Sequence, residues 1–148
     1  MGNMGEAIAT SLLRAGYGLR VYNRTAAKAG ALKAQGAAVV AHSAEVAAPG
    51  GIVFTMLSDD RAVEEVCLGA GSFVEMLGAG GVHVSLSTIA PATARRLAEH
   101  HARHKVAYVA APVFGRPEAA AAKRLWICTS GESALHVING RHRSFQKL

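Results

Sequence analysis

Short apolar runs and helix-period segments alternate from the start of the chain to about residue 130, and no other feature limits its fold so closely. Strands are expected over 18–22, 37–41, 52–57, 81–86, 106–110 and 125–129. The apolar run at 52–57 is what a strand covered on both faces requires. Helices are expected over 3–15, 26–35, 43–48, 60–67, 72–77, 91–104 and 118–123. Their ends carry chemical signals. Thr25, Ser43 and the Ser58-Asp59-Asp60 run can cap helix starts, Pro91 suits a first turn, and Gly16 and Gly36 stop helices. Strand and helix in turn argue for an α/β fold with a parallel sheet and helices on both faces. At 148 residues one domain is expected, over 1–131. Residues 132–148 turn polar and basic and are expected to be a disordered tail.

Composition excludes some classes. About half the residues (51%) are apolar, enough to build a core. No apolar run reaches the roughly 18 residues that cross a bilayer. No secretion signal opens the chain, so a cytoplasmic location is expected, with Cys67 and Cys128 as reduced core thiols. The net charge of +6 raises the question of nucleic acid. Half of that excess lies in Arg141, Arg143 and Lys147, and the other basic residues are scattered without interleaved aromatics. A basic nucleic-acid module therefore stays a minor alternative, and anionic small molecules fit at least as well.

Gly2-Asn3-Met4-Gly5 has the spacing of the second and third glycines of G-x-G-x-x-G, the loop that brings a backbone up to a pyrophosphate at a helix start. The first glycine and the strand before it are not in the sequence. About twenty residues on, the end of strand 18–22 should meet the adenosine ribose. It reads Asn23-Arg24-Thr25, without an acid to select NAD. Arg24 can hold a 2′-phosphate by charge-assisted bonds, so NADP is expected over NAD. The later strand ends, Met56-Leu57-Ser58, Ser87-Thr88 and 111–117, should line the other half of a cleft.

The motifs GNMGEAIA (2–9), VYNRT (21–25), VFTMLSDD (53–60), VSLSTIAP (84–91) and YVAAPVFGRPEAAAA (108–122) resemble the 3-hydroxyisobutyrate and 6-phosphogluconate dehydrogenase superfamily, in its β-hydroxyacid dehydrogenase and imine-reductase-like branch. The resemblance covers residues 1 to about 131. It implies a Rossmann-like, doubly wound NADP-binding domain that lacks its first, central strand and is not followed by the family's helical domain. Gly2, Asn3, Met4 and Gly5 would lie under the pyrophosphate, and Asn23, Arg24 and Thr25 at the 2′-phosphate. Met56, Leu57 and Thr88 would contact the rest of the cofactor. Ser87, Phe114, Gly115 and Arg116 would face a small-molecule substrate. Phe114 and Arg116 replace the serine and second glycine of the family's Ser-Gly-Gly, which favours a carbonyl or imine with an apolar portion over a plain 3-hydroxyacid. The family's catalytic lysine has no counterpart, Lys123 and Lys147 standing in other contexts. The chain is thus expected to bind cofactor and be inactive alone, or else to be completed by a partner chain. The family form is a possible homodimer.

In strand order 3-2-1-4-5-6 the missing strand would lie between strands 18–22 and 52–57. The sheet should then close up or split, with exposed edges, low stability and weak cofactor binding. Other candidates have plain readings. His100 and His104 share a face of helix 91–104 but have no third ligand in sequence, so a solvated face is expected and no metal. Asp59 and Asp60 suit a helix start. Ser87-Thr88 lacks local His and Asp partners for a nucleophile. Trp126 is expected to pack against a helix.

Overall fold

A computed structural model describes residues 2–122 and 124–130. The expected tail at 132–148, its boundary at Gly131, and Lys123 lie outside the described residues. In chain order the elements are α1 (Asn3–Arg14), β1 (Arg20–Val21), a 3-10 turn (Ala26–Ala29) entering α2 (Gly30–Ala34), β2 (Ala38–Val39), a second 3-10 turn (Ser43–Val46) and β3 (Ile52–Thr55). There follow α3 (Asp60–Leu68), α4 (Phe73–Leu77), β4 (Val82–Ser85), α5 (Pro91–Arg103), β5 (Ala107–Ala110), β6 (Val113–Phe114), α6 (Pro117–Ala121) and β7 (Trp126–Ile127).

Strands β3, β4 and β5 form one parallel sheet in that order, in register Val53–His83–Tyr108 and Phe54–Val84–Val109. Side chains alternate across it. One face carries Val53, His83 and Tyr108 and is covered by Val63 and Cys67 of α3, Phe73, Val74 and Leu77 of α4, and Leu97 of α5. The other carries Val84 and Val109 and is covered by Ile8 and Leu12 of α1 and Ala120 of α6. Helices on both faces are what the sequence pattern predicts.

The sheet is split. Among the described residues, strands β1 and β2 pair with each other alone, parallel, apart from the β3–β5 sheet. Helix α1 spans both. Its Ile8 and Leu12 pack on the larger sheet, while Ala9 joins Val21, Ala29 and Leu32 over the smaller one. Arg20 adds a second tie, donating to the carbonyl of Ala47 (3.2 Å), whose side chain lies in the core under α4. The strands read at 18–22 and 37–41 shrink to two paired residues each, flanked by bonds from the Ala38 amide to Leu19 and the Val40 amide to Val21.

The last strand is a correction. β7 runs antiparallel to β6, and Ser130 exchanges two hydrogen bonds with Ala110 in an antiparallel bridge. Helix α6 explains the direction. Its five residues span only about 7 Å, too little to carry the chain back along a strand. The chain re-enters at the end it left and must run back. Trp126 consequently lies on a two-stranded ribbon at 80% exposure instead of packing on a helix, and Cys128 is exposed rather than buried.

Of the expected caps Asp59 holds, while Thr25 stands at its 3-10 turn without a side-chain bond and His42, with Glu45 three residues on, replaces Ser43 as the cap of the second. Asp59 accepts from the Ala62 amide (2.9 Å) and Ser58 donates to its other oxygen (2.7 Å). The amide bond first, then the Ser58 hydroxyl, hold the Asp59 carboxyl below its ordinary range. Asp60 accepts from the Ala90 amide (2.9 Å), tying α3 to the start of α5. Replacing Asp59 by alanine is expected to lower the melting temperature at pH 7, with Asp59→Asn recovering most of the loss. A carboxylate whose pKa falls on folding stabilises above its unfolded pKa and ceases to as pH falls through the folded one. The gap between Asp59→Ala and the parent should therefore narrow in strong acid. Thermal unfolding followed by circular dichroism checks both, and an unchanged Asp59→Ala melt at pH 7 would refute the cap.

Candidate nucleotide-binding site

The site forms where parallel strands end. Helix α1 turns into β1 through Gly16, at φ 89°, a backbone angle that suits glycine. The start of α1 and the end of β1 thus share an edge. At that start Gly2 is the N-cap, extended at φ −74°, ψ 158°, with no side-chain cap. The first helical bond is Glu6 N–H to Gly2 C=O (3.1 Å), so the amides of Asn3, Met4 and Gly5 are open for an anion. A Cβ built on Gly2 would meet nothing within 4 Å, so neighbouring protein atoms do not fill the space in front of it. An uncapped twelve-residue helix start with clear space fits a pyrophosphate group.

Beyond β1, the Asn23 side chain donates to the Thr25 carbonyl (2.7 Å), folding a tight turn, and Thr25 caps the following 3-10 turn through its carbonyl. Arg24 projects from this turn, exposed. It lies close enough to Asp59 to help lower that carboxyl, which sets the end of β1 beside the start of α3. Past β3, Met56 and Leu57 are half-buried and pack into opposite cores, Met56 toward α1 and Leu57 toward α3. Their backbone and remaining surface are what a ligand could touch.

The Leu57 amide donates to the buried Ser87 hydroxyl (2.8 Å), which locks the lips after β3 and β4 together. Thr88, next to it, is exposed. A cleft of about 430 Å³ opens here, lined by Ser87, Thr88, Arg95, Tyr108, Pro112 and Phe114 among others. Ser87, Thr88 and Phe114 are thus brought together, while Gly115 and Arg116 are exposed outside the lining. Gly115 adopts φ 143°, and a Cβ there would stand 2.9 Å from a Leu125 methyl, so the turn after Phe114 requires glycine. Burial pushes the Tyr108 hydroxyl up, with the Ser85 hydroxyl pulling weakly the other way. The two hydroxyls face each other without reaching hydrogen-bond geometry, and neither has a partner among the described residues. The sequence reading missed Arg95 and Tyr108 as lining residues. Arg95 sits four positions after Pro91, near the start of the helix that follows β4, which is the available signal.

Residues 1–138 match the model of the NAD binding domain of 6-phosphogluconate dehydrogenase. The chain belongs to this family. It is an NAD(P)-binding domain of the hydroxyacid dehydrogenase and imine reductase group. An uncharacterized oxidoreductase, YfjR of Bacillus subtilis, is 44% identical over 131 residues, covering 88% of this chain and 46% of the relative. The 3-hydroxyisobutyrate dehydrogenase of Mycobacterium tuberculosis superposes at a TM-score of 0.84 with 27% identity, over 93% of this chain and 47% of that one. A reductive aminase from Aspergillus terreus, solved with NADPH and ethyl levulinate, gives 0.75 and 34% over 88% and 44%. The chain therefore spans about half the length of the family members it matches.

Proposed function

We propose that this chain supplies the NADP(H)-binding half of an oxidoreductase that transfers hydride to or from a small carbonyl, hydroxyacid or imine carbon. The observation that carries the reading is the shared edge. The uncapped start of α1, exposed Arg24 and the cleft beside Thr88 all lie at strand ends. The helix start would hold the pyrophosphate, Arg24 with the 23–25 turn the 2′-phosphate, and Thr88 would lie beside the nicotinamide. Bound NADPH supplies the hydride. The reductive aminase was solved with NADPH, which supports the same cofactor here.

Hydride transfer to a carbonyl also needs a proton donor. Among the described residues lining the cleft there is no lysine, histidine or carboxylate. The Tyr108 hydroxyl on the wall is the remaining candidate, and burial pushes its pKa up and makes it a poorer donor, so we read the proton donor as lying outside this cleft wall and the chain by itself as binding cofactor without turnover. Phe114 on the wall, 53% exposed, shapes the substrate end for an apolar group. A second reading, completion of the site by a partner chain, is favoured by exposed Trp126, the cross-strand partner of Phe114.

Calorimetric titration with NADPH and with NADH tests the binding claim. One NADPH per chain is expected, bound more tightly than NADH. Heat from neither would overturn the cofactor reading. Steady NADPH oxidation with aldehydes, 3-oxoacids or cyclic imines, by chain shown to be monomeric, would overturn the claim that the proton donor lies elsewhere. Turnover that appears only with association would favour the second reading.

A further inference from the structure

We propose that Cys67, His83 and His101 form a binding site for a single copper(I) ion in the protein core, remote in chemistry from the nucleotide edge. One ligand atom from each lies within 4.8 Å of the others, and all three residues are buried. They come from three elements, α3, β4 and α5, that meet on one face of the larger sheet. Around them stand apolar side chains, among them Val63, Phe73 and Leu97. Phe73 packs edge-on against His83 (4.9 Å), and Tyr108 lies 4.9 Å from the His101 ring, which fixes both imidazoles in place.

The proton inventory points to a ligand set. The Leu97 carbonyl, 2.6 Å from His101 Nδ1, can only accept, so that nitrogen carries the proton and Nε2 holds a lone pair. His83 Nδ1, 2.8 Å from His101 Nε2, must then be the donor. His83 Nε2 accepts from the Thr55 hydroxyl (2.9 Å). Both imidazoles are neutral, the form that binds metals. His101 already has the tautomer and the carbonyl behind it that orient a ligating imidazole. For His83 to ligate through Nδ1, its proton moves to Nε2 and is donated to Thr55 Oγ1, which is in place to accept it. Cys67 loses its thiol proton to solvent as the copper–sulfur bond forms. One proton is released per ion and no electron is transferred.

Charge selects the ion. Among the described residues no carboxylate is buried, so none stands in this core beside the three ligands. Copper(I) with one thiolate and two neutral imidazoles has zero net charge, whereas zinc(II) would leave a positive charge in an apolar interior and seek a fourth ligand. Thiolate and imidazole also suit copper(I) by softness. Bonds of about 2.0–2.3 Å in a trigonal arrangement put ligand atoms about 3.5 Å apart. The two histidine nitrogens, now 2.8 Å apart, would part by about 0.7 Å as the ion replaces the proton between them. Entry requires transient opening of α3 or α5.

The test is anaerobic titration of the full chain with copper(I) against a chromophoric copper(I) chelator. Exposed Cys128 is first removed as Cys128→Ser, so that it cannot contribute a thiolate. One copper per chain should be retained, and adding Cys67→Ala should weaken retention at least a hundredfold while circular dichroism shows a folded protein. X-ray absorption of the Cys128→Ser protein should show one sulfur and two nitrogen neighbours, an assay that needs no core substitution should Cys67→Ala fail to fold. Equal retention with and without Cys67, a shell lacking sulfur, a preference for zinc(II), or no retention would each overturn the proposal.

Discussion

Lowering the pH from 7 toward 4 is expected to cost the metal-free protein several kcal/mol of stability, and the cause lies in its two core histidines. Burial, with the neighbouring His101, holds His83 well below the ordinary imidazole range. Burial lowers His101 to about 4, against the pull of the Leu97 carbonyl. In the unfolded chain both take up protons near the ordinary value of about 6.5. Below that value the unfolded state holds more protons than the native one, so stability rises with pH and falls in acid. Each histidine contributes a slope approaching about 1.4 kcal/mol per pH unit. The His101 part levels off near pH 4, after roughly 3 kcal/mol, and the His83 part adds to it in the same direction. A typical domain has about 5–15 kcal/mol to lose. Urea midpoints at pH 7.5, 6.5, 5.5 and 4.5 measure the effect. A midpoint that does not move between 6.5 and 4.5 would rule out neutral buried imidazoles. The carboxylates Asp59 and Asp60, whose pKa values are lowered, act in the same direction but below this window.

The burial of His101 was legible in the sequence, although the pattern was read in the wrong phase. Thr93, Leu97 and His101 lie at i, i+4 and i+8 and are the buried stripe of α5. Following His100 and His104 instead picks out the neighbouring half-buried strip. His83 is similar. Strand alternation from Val53 and Tyr108 puts it on the face under α3 and α5, but a histidine between two valines reads as a break in an apolar run. Helices α1, α3 and α5 are found because their signals are local: the Gly16 stop after α1, the Asp59 cap of α3, Pro91 in the first turn of α5, and the apolar periodicity of each. The direction of β7 was not legible as a strand pattern. It follows from the length of α6, a quantity set by where the chain must return. The pairing of Leu57 with Ser87 was equally hidden, since it depends on β3 and β4 being neighbours thirty residues apart in sequence.

The split sheet follows from an arithmetic of partners. Among the described residues no strand pairs β1 with β3, so the side chains of α1, with the Arg20 bond to the Ala47 carbonyl, hold the two sheets together. An element fixed on both sides by Ile8, Leu12 and Ala9 still keeps its first turn at the strand ends. The helix start and the 23–25 turn can therefore serve one ligand even across the split, which is the condition the cofactor reading needs.

Arg24→Ala is expected to weaken NADPH binding roughly 10- to 150-fold and to leave NADH binding within about twofold, from the roughly 1.5–3 kcal/mol of hydrogen bonds to a charged group. The two cofactors differ only in the 2′-phosphate, so the ratio isolates contacts at that group. The end of β1 has no acid to accept from a ribose hydroxyl, and Arg24 extends from a turn already closed by Asn23 and Thr25. That closure leaves the guanidinium free of structural duty, so its removal should not alter the melt. Asp59 nearby works against the phosphate, because its charge partly offsets that of Arg24. Asp59→Asn, which keeps a cap oxygen, should therefore tighten NADPH modestly, and only at low salt, where exposed charges are least screened. Calorimetry at two ionic strengths reads all of these. Equal losses of NADPH and NADH in Arg24→Ala would move the selector elsewhere, and an unchanged NADPH affinity would remove Arg24 from the site altogether.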